Sequence, residues 1–227
     1  MTDFDLIFKD NDRGRWHAAL CSLFPVADTT DDQIVHDFFK NTTGKFLEIG
    51  ANIGKNGTGW QLLQNNWEGV YCEPDPIACA DLIKHIRASN FVDKTLVVNC
   101  AVAGSSALTS FYCAINRSAI SSLDSTWPNK QPMQGCADVK LQKILTNTIT
   151  PKSLFDMIGY DFEFISIDTE GTDVELINNM DLSLFPKLKL ISTEANFTVA
   201  YYMYSCGFVP YAKTASNTYF INKYNVS

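Results

Sequence analysis

The chain has 227 residues, 46% hydrophobic, 12% aromatic and 19% charged, an ordinary globular composition that excludes disordered, collagen-like and coiled-coil classes. Eighteen Lys plus Arg stand against 25 Asp plus Glu, and the formal charge of -7 repels polyanions, which argues against nucleic acid as a partner. No apolar stretch approaches the roughly 18 to 20 residues that cross a bilayer, and the opening MTDFDLIFKDNDRGRW is acidic where a signal peptide is basic, so the chain reads as cytoplasmic.

Residues 1–40 are polar and acidic around Phe4, Leu6, Phe8, Trp16, Leu20, Leu23 and Phe24. In TTDDQIVHDFFK, N-cap residues precede apolar Ile34, Val35, Phe38 and Phe39, so this part reads as a leading helical segment. From residue 45, short apolar runs alternate with helix-length segments, the pattern of a largely parallel sheet. Strands are expected over 46–50, 69–73 and 95–99, and helices over 57–66 and 77–87, the latter with Leu82, Ile83 and Ile86 on one face. Residues 104–150 break the alternation. There 107–115 and 139–149 look extended around a polar loop holding Ser121, Ser122, Trp127 and Pro128, which we read as an insertion near the site. Pro151 suits the first turn of a helix over 151–158. An alternating strand over 162–168, a helix over 174–180, a strand over 188–194 and a helix over 199–205 follow. Residues 208–212 and 218–222 form a terminal antiparallel pair, and with no repeat or linker the whole chain, 1–227, is expected to be one α/β domain. The seven cysteines are scattered, never in a C-x-x-C spacing, and read as small buried hydrophobes.

Ligands of open parallel sheets sit at the carboxyl ends of the strands, so strand ends carry the candidate chemistry. The first strand runs into Glu48-Ile49-Gly50-Ala51-Asn52-Ile53-Gly54, small residues that let the backbone turn sharply against a ligand. Its spacing is G-x-x-x-G, not the G-x-G-x-x-G of dinucleotide binders. Glu73 ends the second strand 19 residues beyond Gly54, near the separation at which a carboxylate accepts the ribose hydroxyls of an adenosine-bearing ligand. Glu48 disfavours a pyrophosphate and suits a cation, a requirement that S-adenosylmethionine, with its sulfonium and ammonium groups, meets by electrostatics. The competing reading of Glu48 is a salt-bridge or capping residue.

FLEIGANIGKNGTGWQLLQNNWEGVYCEPDP, VNCAVAG and FISIDTEGTDVELI resemble successive blocks of the FkbM-type family of S-adenosylmethionine-dependent methyltransferases, over roughly Asp31 to Lys223. The resemblance implies a three-layer Rossmann-like class I methyltransferase fold, a mostly parallel seven-stranded sheet with an antiparallel C-terminal strand and helices on both faces. It implies O-methyl transfer to a hydroxyl of a sugar, glycan or small metabolite. By the same resemblance Glu48, Gly50, Ala51, Asn52 and Gly54 surround the methionine part, Glu73 holds the ribose, Ala101 and Val102 border the adenine, and Pro74 and Asp168 also count among the cofactor-binding residues. Asp168-Thr169-Glu170-Gly171 matches the family's acidic-x-Glu-Gly block. The chain departs from the pattern at Ile53, where many relatives have Asp, and at Lys55, Asn56 and Gly57.

Methyl transfer is an in-line displacement at a carbon already activated by the sulfonium, so the protein aligns the nucleophile and removes its proton. Asp168 is the preferred base, Glu170 the alternative, and Glu194 at the next strand end a third carboxylate. Together they would also suit Mg²⁺, which the sequence does not require. Helix capping is the competing role of Glu170. His36 lies on a helix that could fold over the cofactor as a lid and is a candidate for substrate contact; His17 reads as packing and His85 as solvated. Trp127, Tyr201, Tyr202 and Tyr204 read either as a sugar-stacking wall or as core. The rival readings are a catalytically silent S-adenosylmethionine-binding module that partners another protein, and a nicotinamide-dependent oxidoreductase, disfavoured by the missing G-x-G-x-x-G.

Overall fold

The computed structural model describes residues 13–55, 57–115, 118–127 and 139–224. Phe4, Leu6, Phe8, Asn56, Pro128 and Cys136 lie outside these, as do the side chains of Trp16 and His17. Two helices lead the chain, α1 (Arg13–Leu23) and α2 (Asp31–Phe38). The first turn of α2 is capped by Thr30, whose hydroxyl accepts the Gln33 N–H at 3.3 Å, and Asp31 and Asp32 there complement the helix dipole.

The strand and helix alternation follows. β1 (Lys45–Ile49), α3 (Thr58–Gln64), β2 (Glu68–Cys72), α4 (Pro76–Arg87) and β3 (Thr95–Val98) make the first half. After β4 (Ala101–Val102), β5 (Ala107–Ala114) and β6 (Leu141–Ile149), the pattern resumes with α5 (Pro151–Ile158), β7 (Phe164–Ile167), α6 (Asp173–Asn178) and β8 (Leu190–Thr193). It ends with α7 (Ala200–Ser205), β9 (Phe208–Lys213) and β10 (Thr218–Asn222). The main sheet has seven strands in the order β3-β2-β1-β7-β8-β10-β9. All pair in parallel except β10, which runs antiparallel to both β8 and β9. Strand order therefore reverses between β1 and β7, where Phe46 to Ile49 register against Phe164 to Ile167. That switch point opens a crevice at the carboxyl edge.

Side chains of β1 alternate between two cores. Leu47 and Ile49 join Ile165, Ile167 and Ile191 under α1, α5, α6 and α7, through Leu20, Phe155, Leu176 and Met203. Phe46 joins Tyr71, Phe164 and Leu190 under α2, α3 and α4, through Val35, Leu62 and Leu82. Covering on both faces explains why β7 departs from the alternation expected over 162–168: Phe164, Ile165 and Ile167 are all buried, as a central parallel strand requires. Residues within 104–150 form a long β5–β6 hairpin, and β6 also pairs with the two-residue β4 to make a second, three-stranded sheet that the sequence reading had not separated.

The Phe46 ring fills the space that two missing side chains leave. A Cβ on Gly59 of α3 would lie 2.2 Å from it, and one on Gly69 of β2 2.4 Å. Gly69→Ala is therefore expected to cost about 1–3 kcal/mol through overpacking, and Phe46→Ala about 3–5 kcal/mol through the cavity left behind. Urea unfolding midpoints at constant m-value measure both.

Candidate active site

Two adjoining cavities lie at the carboxyl ends of β1, β2, β7 and β8 and share Ile49, Gly50, Asn52 and Asp168. The larger, about 440 Å³, is lined by Glu48 and the loop through Gly54, by Asp168 and Glu194, and by Asp31, Asp32, Ser216 and Asn217. The smaller, about 130 Å³, is lined by Glu73, Pro74, Ala101 and Val102, with Phe111, Ser121 and Leu123 of the insertion over it.

Each wall is held by a carboxylate that accepts backbone N–H groups. Glu48, only 5% exposed, accepts the Gly59 N–H at 2.7 Å and the Thr58 hydroxyl at 3.0 Å through one oxygen, so it does cap α3. Its other oxygen, Oε2, is buried without a partner. Burial pushes Glu48 up to about 7 against the pull of those two hydrogen bonds. Glu73 accepts the Asn52 N–H at 2.6 Å and the Asp75 N–H at 2.7 Å, which ties the glycine loop to the end of β2, and burial raises it to about 7 as well. Asp75 caps α4 through the Ile77 and Ala78 N–H groups and accepts the Ser121 hydroxyl at 3.1 Å, which fastens the insertion to this edge.

Glycine is obligatory where β1 meets β7. At Gly50, with φ +87°, a Cβ would lie 1.7 Å from the Asp168 carbonyl oxygen. Asn52 carries the loop on at φ 48°, a left-handed conformation that Asn tolerates. The imidazole of His85 donates to the Ile53 carbonyl at 3.0 Å, so His85 is half-buried and steadies the loop, contrary to the solvated role expected for it.

Asp168, Glu170 and Glu194 converge, with ligating atoms all within 4.8 Å of one another. Such oxygen donors match the preference of a hard divalent ion, although the Trp127 indole already donates to a Glu170 oxygen. Asp168 Oδ1 is buried without a partner. Burial first, and Glu194 second, drive Asp168 well above the usual carboxylate range, and burial followed by Glu170 and Asp173 raises Glu194 to about 8. Asp173, which the sequence reading passed over, pins both strand ends: it accepts the Thr169 N–H at 2.9 Å, the Thr193 hydroxyl at 3.0 Å and the Glu194 N–H at 3.0 Å.

His36 does not join this group. It sits one turn beyond the cavity wall, 40% exposed, with Nδ1 3.3 Å from Asp37 Oδ1, and lines neither cavity. The wall is made instead by Thr30, Asp31 and Asp32 at the start of α2, and by Ser216 and Asn217 from the β9–β10 turn. The Thr30-Asp31-Asp32 capping signature was legible as a helix start; its position over β1 depends on pairing with the C-terminal turn, where Asp31 accepts the Tyr219 hydroxyl at 2.6 Å and the Thr214 hydroxyl at 2.9 Å. Of the two readings of the aromatics, the sugar-stacking wall is not formed, and Tyr202 and Tyr204 pack against the core. Trp127 packs on Gly171, Tyr202 donates to the Met180 carbonyl, Tyr204 stacks under Lys223, and neither these nor Tyr201 line the cavities.

The Methyltransferase FkbM domain family matches residues 48–210, from the buried glutamate of β1 into β9. The chain belongs to the FkbM methyltransferase family. The FkbM methyltransferase of Methylobacillus flagellatus KT shares the fold at 15% identity and a TM-score of 0.52; the match covers 79% of this chain and 43% of that one, so this chain spans less than half of that relative's length. Precorrin-6y C5,15-methyltransferase from Geobacter metallireducens GS-15 is similar at 13% identity and a TM-score of 0.46, covering 88% of this chain and 92% of its own. M. capricolum TrmK, solved with its natural cofactor product S-adenosyl-homocysteine, is similar at 9% identity and a TM-score of 0.46, covering 85% of this chain and 66% of its own. No curated protein matches the chain.

The FkbM cavity carries a pH signature. Glu48 and Glu73 ionise at an ordinary 4.5 in the unfolded chain and near 7 in the fold, so between those values the unfolded state has lost protons that the fold retains. Stability falls as pH rises through that window. Among the described residues the groups facing Glu48 are Asp32, the Tyr71 hydroxyl and the Thr58 and Gly59 donors, with no cation there to reverse the sign. The thermal midpoint of the ligand-free protein is expected to drop from about pH 5 to about pH 8, and Glu48→Gln to recover on the order of 3 kcal/mol at the upper end. Scanning calorimetry across this range measures it.

Proposed function

We propose that this FkbM-family methyltransferase moves a methyl group from S-adenosylmethionine to a hydroxyl oxygen of a small or carbohydrate acceptor. The observation that carries the reading is the paired cavity at the switch point, with one carboxylate ending β1, one ending β2 and a third, Asp168, between the two lobes. The residues fit a cationic adenosyl ligand. Gly50 and Gly57 leave the backbone bare where a side chain would strike Asp168 or Glu48, and the partnerless Glu48 oxygen asks for a donor or a positive charge. In this reading Glu48, Gly50, Ala51, Asn52 and Gly54 hold the methionine part, Glu73 and Pro74 the ribose, and Ala101 and Val102 the adenine.

When bound, that cofactor supplies a methyl carbon activated by positive sulfur. The chain's own residues do the rest. Asp168, hemmed by Glu194, Glu170 and Asp173, is a carboxylate of raised proton affinity, suited to take the hydroxyl proton near neutral pH. Glu170 is held by the Trp127 indole and, through its carbonyl, by the Ser122 hydroxyl at 2.6 Å, which suits a residue that shapes the wall more than one that carries a proton. The insertion, fastened at Asp75 and Glu170, lines the smaller lobe through Phe111, Ser121 and Leu123.

Titration calorimetry is expected to show S-adenosylhomocysteine binding and no binding of NAD; the reverse pattern would point to the oxidoreductase. With radiolabelled donor and a panel of free sugars and amino alcohols, Asp168→Asn is expected to lower methyl incorporation about 100-fold or more. Its S-adenosylhomocysteine affinity should stay within about threefold of wild type. Turnover unchanged in that variant rejects Asp168 as the base, and cofactor binding without transfer to any acceptor favours the silent module.

A further inference from the structure

The larger cavity is lopsided in charge. Among the described residues its titratable lining is Asp31, Asp32, Glu48, Asp168 and Glu194, without a lysine, arginine or histidine. Three buried acceptor oxygens in it have no partner: Glu48 Oε2 on β1, Asp168 Oδ1 after β7 and Asn217 Oδ1 in the β9–β10 turn. They belong to three separate elements, so no rearrangement of a single loop satisfies them. Burying an acceptor unpaired is costly, and a ligand rich in N–H and O–H donors removes that cost at all three points.

Apolar side chains are confined to the cofactor side of the cavity, at Ile49, Ala51 and Ile53. The opposite wall, Thr30, Asp31, Asp32, Ser216 and Asn217 with Glu194, offers only hydroxyl, amide and carboxyl groups. A flat aromatic or aliphatic acceptor finds no surface there to exclude water against. The Asp31 carboxylate is already engaged twice, by Tyr219 and Thr214; Asp32, which is also bonded to Gln61, Glu194, which is bonded to Asp168, and Asn217, whose Oδ1 has no partner, complete the polar lining.

Positive charge on the cofactor does not use up this surplus. The proposed donor brings a sulfonium and an ammonium against its own carboxylate, a net charge of one, against five carboxyl groups in the lining. Asp168 and Glu194 lie side by side, with ligating atoms within 4.8 Å. An ammonium beside Glu194 favours its ionised form and relieves the like-charge repulsion on Asp168.

We propose that the methyl acceptor is a small vicinal amino alcohol, such as an amino sugar, whose ammonium group is received by Glu194 with Asp32 and Asn217 while its neighbouring hydroxyl faces Asp168. The proposal rests on the assignment of the glycine-loop half to the adenosyl cofactor. In the transfer, the hydroxyl proton passes to the Asp168 carboxylate and the oxygen forms a bond to the methyl carbon. The carbon–sulfur bond breaks with its electron pair going to sulfur, which leaves as a neutral thioether. The ammonium group keeps its protons throughout and is an anchor, not the nucleophile.

The test is calorimetric titration of protein saturated with S-adenosylhomocysteine, at about pH 8, with glucosamine, galactosamine and ethanolamine against glucose, galactose and ethylene glycol. At least one amine is expected to bind about tenfold or more tightly than its neutral counterpart, the worth of one charge-assisted hydrogen bond. Glu194→Gln is expected to erase that preference with S-adenosylhomocysteine affinity within about threefold of wild type. Ser216→Lys, an exposed position at the cavity wall, provides a second variant that leaves the buried carboxylates in place and should weaken the amine more than its neutral counterpart, removing the preference. Equal or absent binding across all three pairs overturns the proposal, as does a preference that survives in both variants. Binding of MgCl₂ that depends on Glu194 and displaces the amine overturns it in favour of a metal seat. Failure of S-adenosylhomocysteine itself to bind removes the cofactor assignment instead, a result visible before any acceptor is added.

Discussion

The structure turns on buried carboxylates that are held by backbone amides, with no cation beside them among the described residues. Glu48, Glu73, Asp75 and Asp173 are each at most 5% exposed, and each accepts one or more main-chain N–H groups at a strand end or helix start. A carboxylate used this way has two effects at once. It fixes the direction in which the chain leaves the sheet, because its two oxygens select the amides that can reach them. It also leaves unscreened negative charge in a region of low dielectric, where that charge acts most strongly on a ligand. The scaffold and the electrostatic field of the crevice are therefore built from the same groups.

Those anchors decide how closely the strands can approach. Between β1 and β7 the carboxyl edge is pinched to the point where the Asp168 carbonyl occupies the space of a Gly50 side chain. Asp168 is thereby aimed into the gap that the reversal of strand order creates, and Asp173 holds it there indirectly by gripping Thr169 on one side and Thr193 and Glu194 on the other. The β5–β6 hairpin is attached to the same edge twice, at Asp75 through Ser121 and at the Glu170 carbonyl through Ser122. The adjacent residues Ser121 and Ser122 thus tie the segment after β5 to the ends of both β2 and β7. This couples the shape of the insertion to the position of the two acidic side chains that frame the crevice.

Much of this was legible in the sequence, for reasons that differ from one residue to the next. The helix Pro151–Ile158 is marked by proline at its first turn, and β10 falls on its apolar run, with Tyr219 and Phe220 buried in the cores on opposite sides of the sheet. Glu48, Gly50, Glu73 and Asp168 could be singled out because strand ends of a parallel sheet are where ligands bind, and the sheet reverses at that place. The α2 contribution was misjudged. His36 carries the more conspicuous chemistry, but only the start of the helix reaches the cavity, and which turn reaches it is set by contacts between Asp31 and residues more than 180 positions away, Thr214 and Tyr219. Asn217 was invisible for the same reason. Nothing local distinguishes a polar turn that closes a hairpin from one that also closes a binding site. Asp173 was missed because its carboxylate serves main-chain amides, and an acid in the first turn of a helix reads as ordinary dipole stabilisation.

A cavity with this charge is tuned by what enters it. Glu48 near 7 and Glu194 near 8 are partly protonated at neutral pH, so a neutral ligand meets a site that has already shed part of its charge. A cation has the opposite effect: it stabilises the ionised carboxyls and displaces their protons, so its binding strengthens as pH rises through the same interval in which the unliganded fold weakens. Binding and stability are therefore linked with opposite slopes. The stabilisation that a cationic ligand confers on the fold is greatest on the alkaline side, where the unpaired carboxylates would otherwise repel one another most. Asp168 and Glu194 stand side by side. Two neighbouring acids there contend for one proton, and a positive group arriving at either releases the other to accept a proton from an incoming hydroxyl.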